Sequence, residues 1–289
     1  MAIELAQLLI NGLALGGILA LGSVGLTLTY GILRLSNFAH GDFLTLGAYL
    51  TLMANDWGLP LPVAMLVGCG LTVGAFLLTE AILWGPVRRR RTSPTTMMIM
   101  SIGLALFIRN GIILIWGSQN QNYRLPVFGA MALGPVQVTT NRIVVLGMAL
   151  AAVGLLHLLL QKTTIGRQMR AVADNPELAQ VAGIDVQRVI LWTWVVAGGL
   201  TALGGAMYGL ITAVRPNMGW FLLLPMFATV ILGGIGNPYG AMVAAVIVGV
   251  AQEMSTYWLP SEYKLGVALV VMMLVLLVRP QGLFRGTVA

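Results

Sequence analysis

The chain has 289 residues, of which 58% are hydrophobic and only 9% are charged, and its formal net charge is +7. Soluble domains carry roughly 25% charged residues, so this composition excludes a soluble globular protein and indicates a membrane protein. The positive charge does not indicate nucleic acid binding, because the basic residues lie in short loops beside apolar segments.

Apolar segments predict nine membrane helices, with room for about 8–10 at roughly 20 residues per crossing. The predicted spans are 5–29, 40–54, 60–84, 97–116, 143–160, 189–214, 220–233, 239–258 and 261–278. We expect an all-α, polytopic transmembrane helical bundle with two interrupted helices, forming a single transmembrane domain over residues 1–289. The N-terminus carries Glu4 and no Lys or Arg, which favours a first membrane helix over a cleaved signal peptide. The short seventh span leaves open a re-entrant segment at 220–236.

The distribution of lysine and arginine predicts the orientation of the chain. If all nine spans cross, eleven of these residues lie on one side and four on the other, and Arg109 lies within a span. Loops rich in Lys and Arg stay in the cytoplasm. We therefore predict a multi-pass protein of the bacterial inner (plasma) membrane, with its N-terminus outside and its C-terminus in the cytoplasm.

Three pairs of glycines are spaced one helical turn apart. They are Gly12 and Gly16, Gly70 and Gly74, and Gly205 and Gly209. Small residues at this spacing let helix backbones approach closely within a membrane. We predict close helix packing at these positions.

Two crossings are interrupted by polar or glycine-rich sequence: LRLSNFAHGDF at 33–43 and LGGIGNPYG at 232–240. Paired interruptions in transporters often mark broken helices around the substrate site. The alternative is that each segment is a tight turn that caps the next helix. The flanking hydrophobic residues favour broken helices. The candidate residues of the substrate path or its gate are Asn37, His40, Asp42, Gly233, Gly234, Gly236 and Asn237.

Four charged residues lie within or at the edge of spans: Asp42, Glu80, Arg109 and Glu253. A charge at membrane depth should face protein or water, so each should have a partner or line a wet path. Arg109 and Glu253 are a plausible interhelical pair. The single cysteine and the two separated histidines predict neither a metal site nor a cofactor.

The longest predicted cytoplasmic loop, about 162–188, has its own amphipathic, helix-forming pattern. A simple connector could be far shorter, so this loop indicates a docking surface for a cytoplasmic partner. The chain contains no G-x-x-x-x-G-K-[ST] phosphate loop and no nucleophile–base arrangement. We predict that it is not an enzyme and does not itself hydrolyse ATP.

Three separated motifs carry a family resemblance: LSNFAHGDFLTLGAYL, VILGGIGNPYGAMVAAVIVG and the terminal RPQGLF. They resemble the permease subunits of branched-chain amino acid ABC transporters, and the likeness covers nearly the whole chain. In the long loop, Glu177-Leu178-Ala179 followed after three residues by Gly183 resembles the E-A-A-x-x-x-G coupling motif of bacterial importers. It departs from that motif at Leu178 and lacks the downstream I-x-L-P.

The resemblance implies a permease that imports branched-chain or other neutral, hydrophobic amino acids. It implies as partners a second, related permease subunit, two cytoplasmic ATPase subunits, an external substrate-binding protein and membrane lipid, with no nucleic acid. Asp174, Glu177, Ala179 and Gly183 would form the ATPase-coupling loop. The alternative is a passive channel or ion-coupled carrier for a small polar solute, with Asp42 and Glu253 as cation or proton sites.

Overall fold

The computed structural model describes residues 2–90, 92–125, 130–133 and 136–284. Two of the basic residues counted for the orientation, Arg91 and Arg285, lie outside these ranges. Within them the chain forms α-helices with one short β-hairpin. The α-helices are α1 (Ala2–Leu33), α2 (His40–Asp56), α3 (Leu61–Thr79), α4 (Gly85–Arg89), α5 (Pro94–Trp116), α6 (Thr140–Lys162), α7 (Thr164–Asp174), α8 (Pro176–Val181), α9 (Val186–Ile211), α10 (Met218–Gly233), α11 (Pro238–Ser255) and α12 (Lys264–Val278).

The predicted polytopic helical bundle is confirmed. Six helical stretches are long and apolar enough to cross a membrane, and they contain α1, α3, α5, α6, α9 and α12. The other three predicted spans correspond to α2, α10 and α11, which have 17, 16 and 18 residues. A helix of 17 residues is about 25 Å long, which is less than the roughly 30 Å of a hydrocarbon core. Helices α2 and α10 therefore do not span that thickness alone.

The helices alternate in direction, so their ends define two faces of the bundle. We call the face that carries residues 162–188 the loop face, and the opposite one the far face. On the far face, Arg124 Nε lies 2.9 Å from Asp56 Oδ1, and Gln121 forms an isolated antiparallel bridge with Val214. Burial raises the pKa of Tyr123 above its ordinary value, so its hydroxyl stays protonated and donates a 3.3 Å hydrogen bond to the carbonyl of Ala48.

The far face also carries a short β-hairpin, which the sequence did not predict. Strands β1 (Ala130–Leu133) and β2 (Val136–Thr139) pair antiparallel, with Ala130 opposite Thr139. The hairpin leads directly into α6, which begins at Thr140. It does not change the class of the fold.

Helix α1 lies at the centre of the bundle, against α6, α9, α10 and α11. The predicted close packing of Gly12 and Gly16 is confirmed, since a Cβ on either would lie within 3 Å of the α11 backbone, at 2.6 and 2.9 Å. Gly70 and Gly74 instead face open space, with nothing within 4 Å of an added Cβ. Spacing alone therefore predicted the α1–α11 contact correctly and a contact of α3 wrongly.

Candidate functional site

Residues 34–39 separate α1 from α2 and return the chain into the bundle. The turn begins at Arg34, which has φ 53°. His40 Nε2, at the start of α2, lies 2.9 Å from the carbonyl oxygen of Gly22. Gly22 precedes the end of α1 at Leu33 by about 16 Å of helix. Helix α2 therefore begins in the middle of the bundle and runs to the far face.

A second interruption, at residues 212–217, lies between α9 and α10. The backbone N–H of Gly219, in the first turn of α10, donates a 3.0 Å hydrogen bond to Thr45 Oγ1. Thr45 lies about 16 Å of helix before the far-face end of α2 at Asp56. Helix α10 therefore also begins in the middle of the bundle, but it runs to the loop face. Two interrupted helices of opposite direction are typical of inverted repeats in transporters.

The first turns of α2 and α10 pack backbone against backbone through Gly41 and Gly219. A Cβ on either glycine would overlap the carbonyl oxygen of the other. Thr45 Oγ1 bridges the two, because it donates to the Gly41 carbonyl at 3.2 Å and accepts from the Gly219 N–H. We call this contact the glycine junction. No side chain separates the two helix starts.

The predicted site residues Asn37, His40 and Asp42 surround this junction and have no exposed surface. Asn37 Oδ1 accepts from the Ala39 N–H at 3.1 Å, whereas Asn37 Nδ2 has no hydrogen-bond partner among the described residues. His40 Nε2 lies 3.0 Å from Thr201 Oγ1 as well as near Gly22. The Gly22 carbonyl can only accept, so the Nε2–H tautomer of His40 fits and leaves Nδ1 without a partner among those residues.

Asp42 forms a two-point ion pair with Arg109 of α5. Arg109 Nε and Nη2 donate to the two carboxylate oxygens at 2.9 and 3.0 Å. The Arg109 guanidinium carbon also lies 4.7 Å from the ring centroid of Trp220, in the first turn of α10. The Asp42 side chain is fully buried, but the Arg109 side chain is 17% exposed. The pair thus connects the glycine junction to the outer surface of this chain.

The structure corrects the predicted pairing of Arg109 with Glu253. Glu253 instead accepts from Lys264 Nζ at 2.5 Å, near the far face. Glu80 is nearly fully buried at the loop-face end of α3, where Arg88 donates to both of its carboxylate oxygens. Trp194 Nε1 also donates to Glu80, at 2.7 Å. All four intramembrane charges are therefore paired.

The second predicted interruption, residues 233–237, is a tight turn at the loop face between α10 and α11. Gly234 and Gly236 have φ 97° and 85°, which ends α10. Asn237 Oδ1 accepts from the Gly240 N–H at 3.0 Å and caps α11. Gly233 and Gly240 pack backbone against backbone. This geometry matches the tight-turn alternative, and the counterpart of residues 34–39 is instead 212–217.

The long loop folds into α7 and α8. Asp174 and Glu177 are exposed at the α7–α8 corner, where Asn175 Oδ1 caps α8 by accepting from two backbone N–H groups. Gly183 has φ 84° and ends α8: its N–H donates to the Gln180 carbonyl, and the Ile184 N–H donates to the Ala179 carbonyl, both at 3.0 Å. These bonds form a Schellman motif, which requires the glycine. Ala179 is buried, so it supports α8 and does not itself form an exposed surface.

Two exposed apolar residues on α8 were missed by the sequence analysis. Leu178 is 67% exposed and Val181 is 87% exposed, and their spacing of three places them on one face of the helix. The signal in the sequence was weak, because residues 162–188 contain several other large apolar residues, such as Met169 and Val172, which are buried. Trp220 was missed because its partner Arg109 lies more than a hundred residues away.

The apolar bundle, the paired intramembrane charges and the two interrupted helices define a polytopic membrane protein of the transporter type. No three or more His, Cys, Asp and Glu residues of the described ranges lie together as metal ligands would. Residues 8–276 match the family described as the permease component of the branched-chain amino acid transport system. The chain belongs to this family.

Individual relatives agree with the family. The chain is 31% identical to the high-affinity branched-chain amino acid transport system permease protein LivH of Escherichia coli K12, over 96% of this chain and 94% of that one. It is 30% identical to the permease protein BraD of Pseudomonas aeruginosa, with the same coverage. Among solved structures, a chain of PsaBC from Streptococcus pneumoniae has a similar fold, with a TM-score of 0.54 and 14% identity over 96% of this chain and 92% of that chain.

Proposed function

We propose that this chain is the permease subunit of an ATP-driven importer of branched-chain or other neutral amino acids in a bacterial inner membrane. The observation that carries the proposal is that two short helices, α2 and α10, begin beside each other in the middle of the bundle. Half-helix starts at the membrane midplane are the usual place for a transporter's substrate site. The relatives supply the cargo class, since LivH and BraD are named for branched-chain amino acids.

Arg109 and Trp220 support a substrate path along one side of the chain. A partly exposed guanidinium at membrane depth must contact water or protein, because contact with lipid costs at least 2.5 kcal/mol on insertion scales. The surface formed by α2, α5 and α10 therefore faces the path or the second permease subunit. Arg109 can bind a substrate carboxylate, while Asn37, His40 and Asp42 form the gate behind it.

The second set of candidate residues lies at the loop-face end of the proposed path. Gly236 and Asn237 line a cavity of about 320 Å³ together with Arg170 and Asp174 of α7. This cavity touches both the turn after α10 and the coupling loop. A movement of α7 driven by a partner would therefore change the space between the coupling loop and the turn that follows α10.

The structure does not favour the ion-coupled carrier or channel. That alternative needs Asp42 and Glu253 as free carboxylates for a cation or proton. Asp42 is neutralised by Arg109, and Glu253 by Lys264. A paired carboxylate has no charge left to attract a coupling ion unless its partner moves away.

The assembled complex provides the test of function. With an ATPase, the second permease subunit and a binding protein in proteoliposomes, we expect ATP-dependent uptake of labelled leucine. Val181→Asp should abolish the uptake, because a charge on the exposed apolar face of α8 would prevent ATPase docking. Gln180→Glu adds the same charge to the same helix on a different face and should transport normally. Uptake that proceeds without ATP, or equal uptake by both variants, would contradict this reading.

The orientation remains part of the proposal: the loop face in the cytoplasm and the far face outside. Single cysteines at exposed Gln119 and Gln180, in a Cys69→Ala background, give the measurement. A membrane-impermeant maleimide added to intact cells should label the cysteine at 119 and not that at 180. Labelling of position 180 from outside would show that the orientation is the reverse of the proposed one.

A further inference from the structure

A cavity of about 350 Å³ opens at the far face between α1, α9, α10, α11 and α12. Its volume lies within the roughly 300–1,000 Å³ typical of small-molecule sites. The glycine junction and the Asp42–Arg109 pair are not among its lining residues. The cavity is therefore separate from the site described above.

Charges of both signs line this cavity. Glu253 and Lys264 form the ion pair already described, with side chains 15% and 32% exposed. Arg142 and Glu262 also line it, and neither forms an ion pair within the described residues. Two cations and two anions give the cavity no net formal charge. Such a lining suits a ligand that carries one charge of each sign better than a simple anion or cation.

Polar acceptors and apolar walls complete the cavity. The Oδ1 atom of Asn11 is buried there and has no hydrogen-bond partner among the described residues. Pro225 lies inside α10 and has no N–H to donate to the carbonyl of Phe221, four residues earlier. Leu222 and Leu265 supply apolar surface beside them. A buried acceptor without a donor is costly, and a ligand ammonium would satisfy it.

We propose that this far-face cavity binds a free zwitterionic amino acid before the amino acid reaches the glycine junction. Arg142 would hold the carboxylate, Glu262 and the Asn11 carbonyl would hold the ammonium, and the apolar wall would contact the side chain. The proposal rests on the proposed function, because it takes the cargo class from there. The cavity wall includes residues from the first two turns of α10, so an occupant contacts the helix that forms the junction.

Equilibrium binding of tritiated leucine to the purified permease–ATPase complex, without the binding protein, tests the proposal. We expect saturable binding that unlabelled leucine displaces. Leucinamide, which lacks the carboxylate, and 4-methylpentanoate, which lacks the ammonium, should not displace it. Arg142→Gln and Glu262→Gln should each weaken binding about tenfold or more, as expected when one charged contact is lost. Arg124→Gln removes a far-face arginine outside the cavity and should bind like the wild type.

Asn11→Leu keeps the experiment decisive if a charge variant fails to assemble, because it removes the buried acceptor without changing any charge and should also weaken binding. No saturable binding, or equal binding by the cavity variants and Arg124→Gln, would overturn the proposal. ATP-driven uptake by the full complex is measured in parallel. Uptake without cavity binding would reject the cavity and leave the proposed function intact, whereas absence of wild-type uptake would reject the function.

Discussion

Gly219→Ala is expected to destabilise the bundle and to abolish uptake by the assembled importer. A Cβ at this position would overlap the Gly41 carbonyl oxygen and lie 2.6 Å from Thr45 Oγ1. The obstacle is backbone, which cannot rotate aside as a flexible side chain could. Overpacking of this kind costs about 1–3 kcal/mol of the free energy of unfolding. Separating α10 from α2 would also move Trp220 away from Arg109.

The measurement combines the thermal unfolding midpoint of the purified protein with leucine uptake by the complex. Gly74→Ala is the matched control, because it makes the same change within α3 at a position with nothing within 4 Å of the new Cβ. Alanine is a better helix former than glycine by roughly 0.5–1 kcal/mol, so this control should unfold at the same or a higher temperature. If Gly219→Ala unfolds at the wild-type temperature and transports leucine normally, α2 and α10 can be separated without loss of function.

The positions of the membrane helices were predictable because hydropathy is a local property. The span predicted at 97–116 is α5, Pro94–Trp116, and the span predicted at 220–233 is α10, Met218–Gly233. Such segments are long, mainly apolar runs, and each forms its backbone hydrogen bonds within itself. The identity of each helix thus follows from its own residues.

The depth at which a helix begins was not predictable in the same way. Hydropathy shows where an apolar run starts along the chain, and it does not show that His40 lies beside Gly22 in the middle of α1. The segment at 212–217 contains Arg215, Pro216 and Asn217, so it looked like an ordinary loop outside the membrane. The glycine-rich segment at 233–237 looked like the interruption because glycines serve both tight turns and broken helices.

The residues of the first interruption and the charge within α5 were identified from the sequence, but their pairing was not. A lone Arg109 in an apolar span predicts that a partner exists. Three carboxylates were available within or near spans, and sequence separation does not distinguish among them. Only the packing of α5 beside α2 selects Asp42, 67 residues away. Contacts between segments that lie far apart in the sequence can be identified only from the three-dimensional structure.

Arg109→Met is expected to lower the free energy of unfolding by about 3–5 kcal/mol, because it leaves the Asp42 carboxylate buried without a partner. The pair has two hydrogen bonds, and its acidic member is fully buried. Arg124→Met is the matched control, since its pair with Asp56 is surface-exposed, with side chains 74% and 39% exposed. Exposed pairs contribute about 0–1 kcal/mol, so the control should unfold almost like the wild type. Urea unfolding in mild detergent measures both.

The double variant Asp42→Asn with Arg109→Met separates stability from transport. Removing both charges removes the unpaired carboxylate, so most of the lost stability should return, as a double-mutant cycle would show. Leucine uptake by the assembled complex should stay lost, because no guanidinium remains to bind the substrate carboxylate. Arg109→Lys should also transport poorly, since an ammonium cannot reproduce the two-point contact and the stacking on Trp220. Recovery of uptake together with stability in the double variant would make Asp42–Arg109 a purely structural pair and would place the substrate path along other helices.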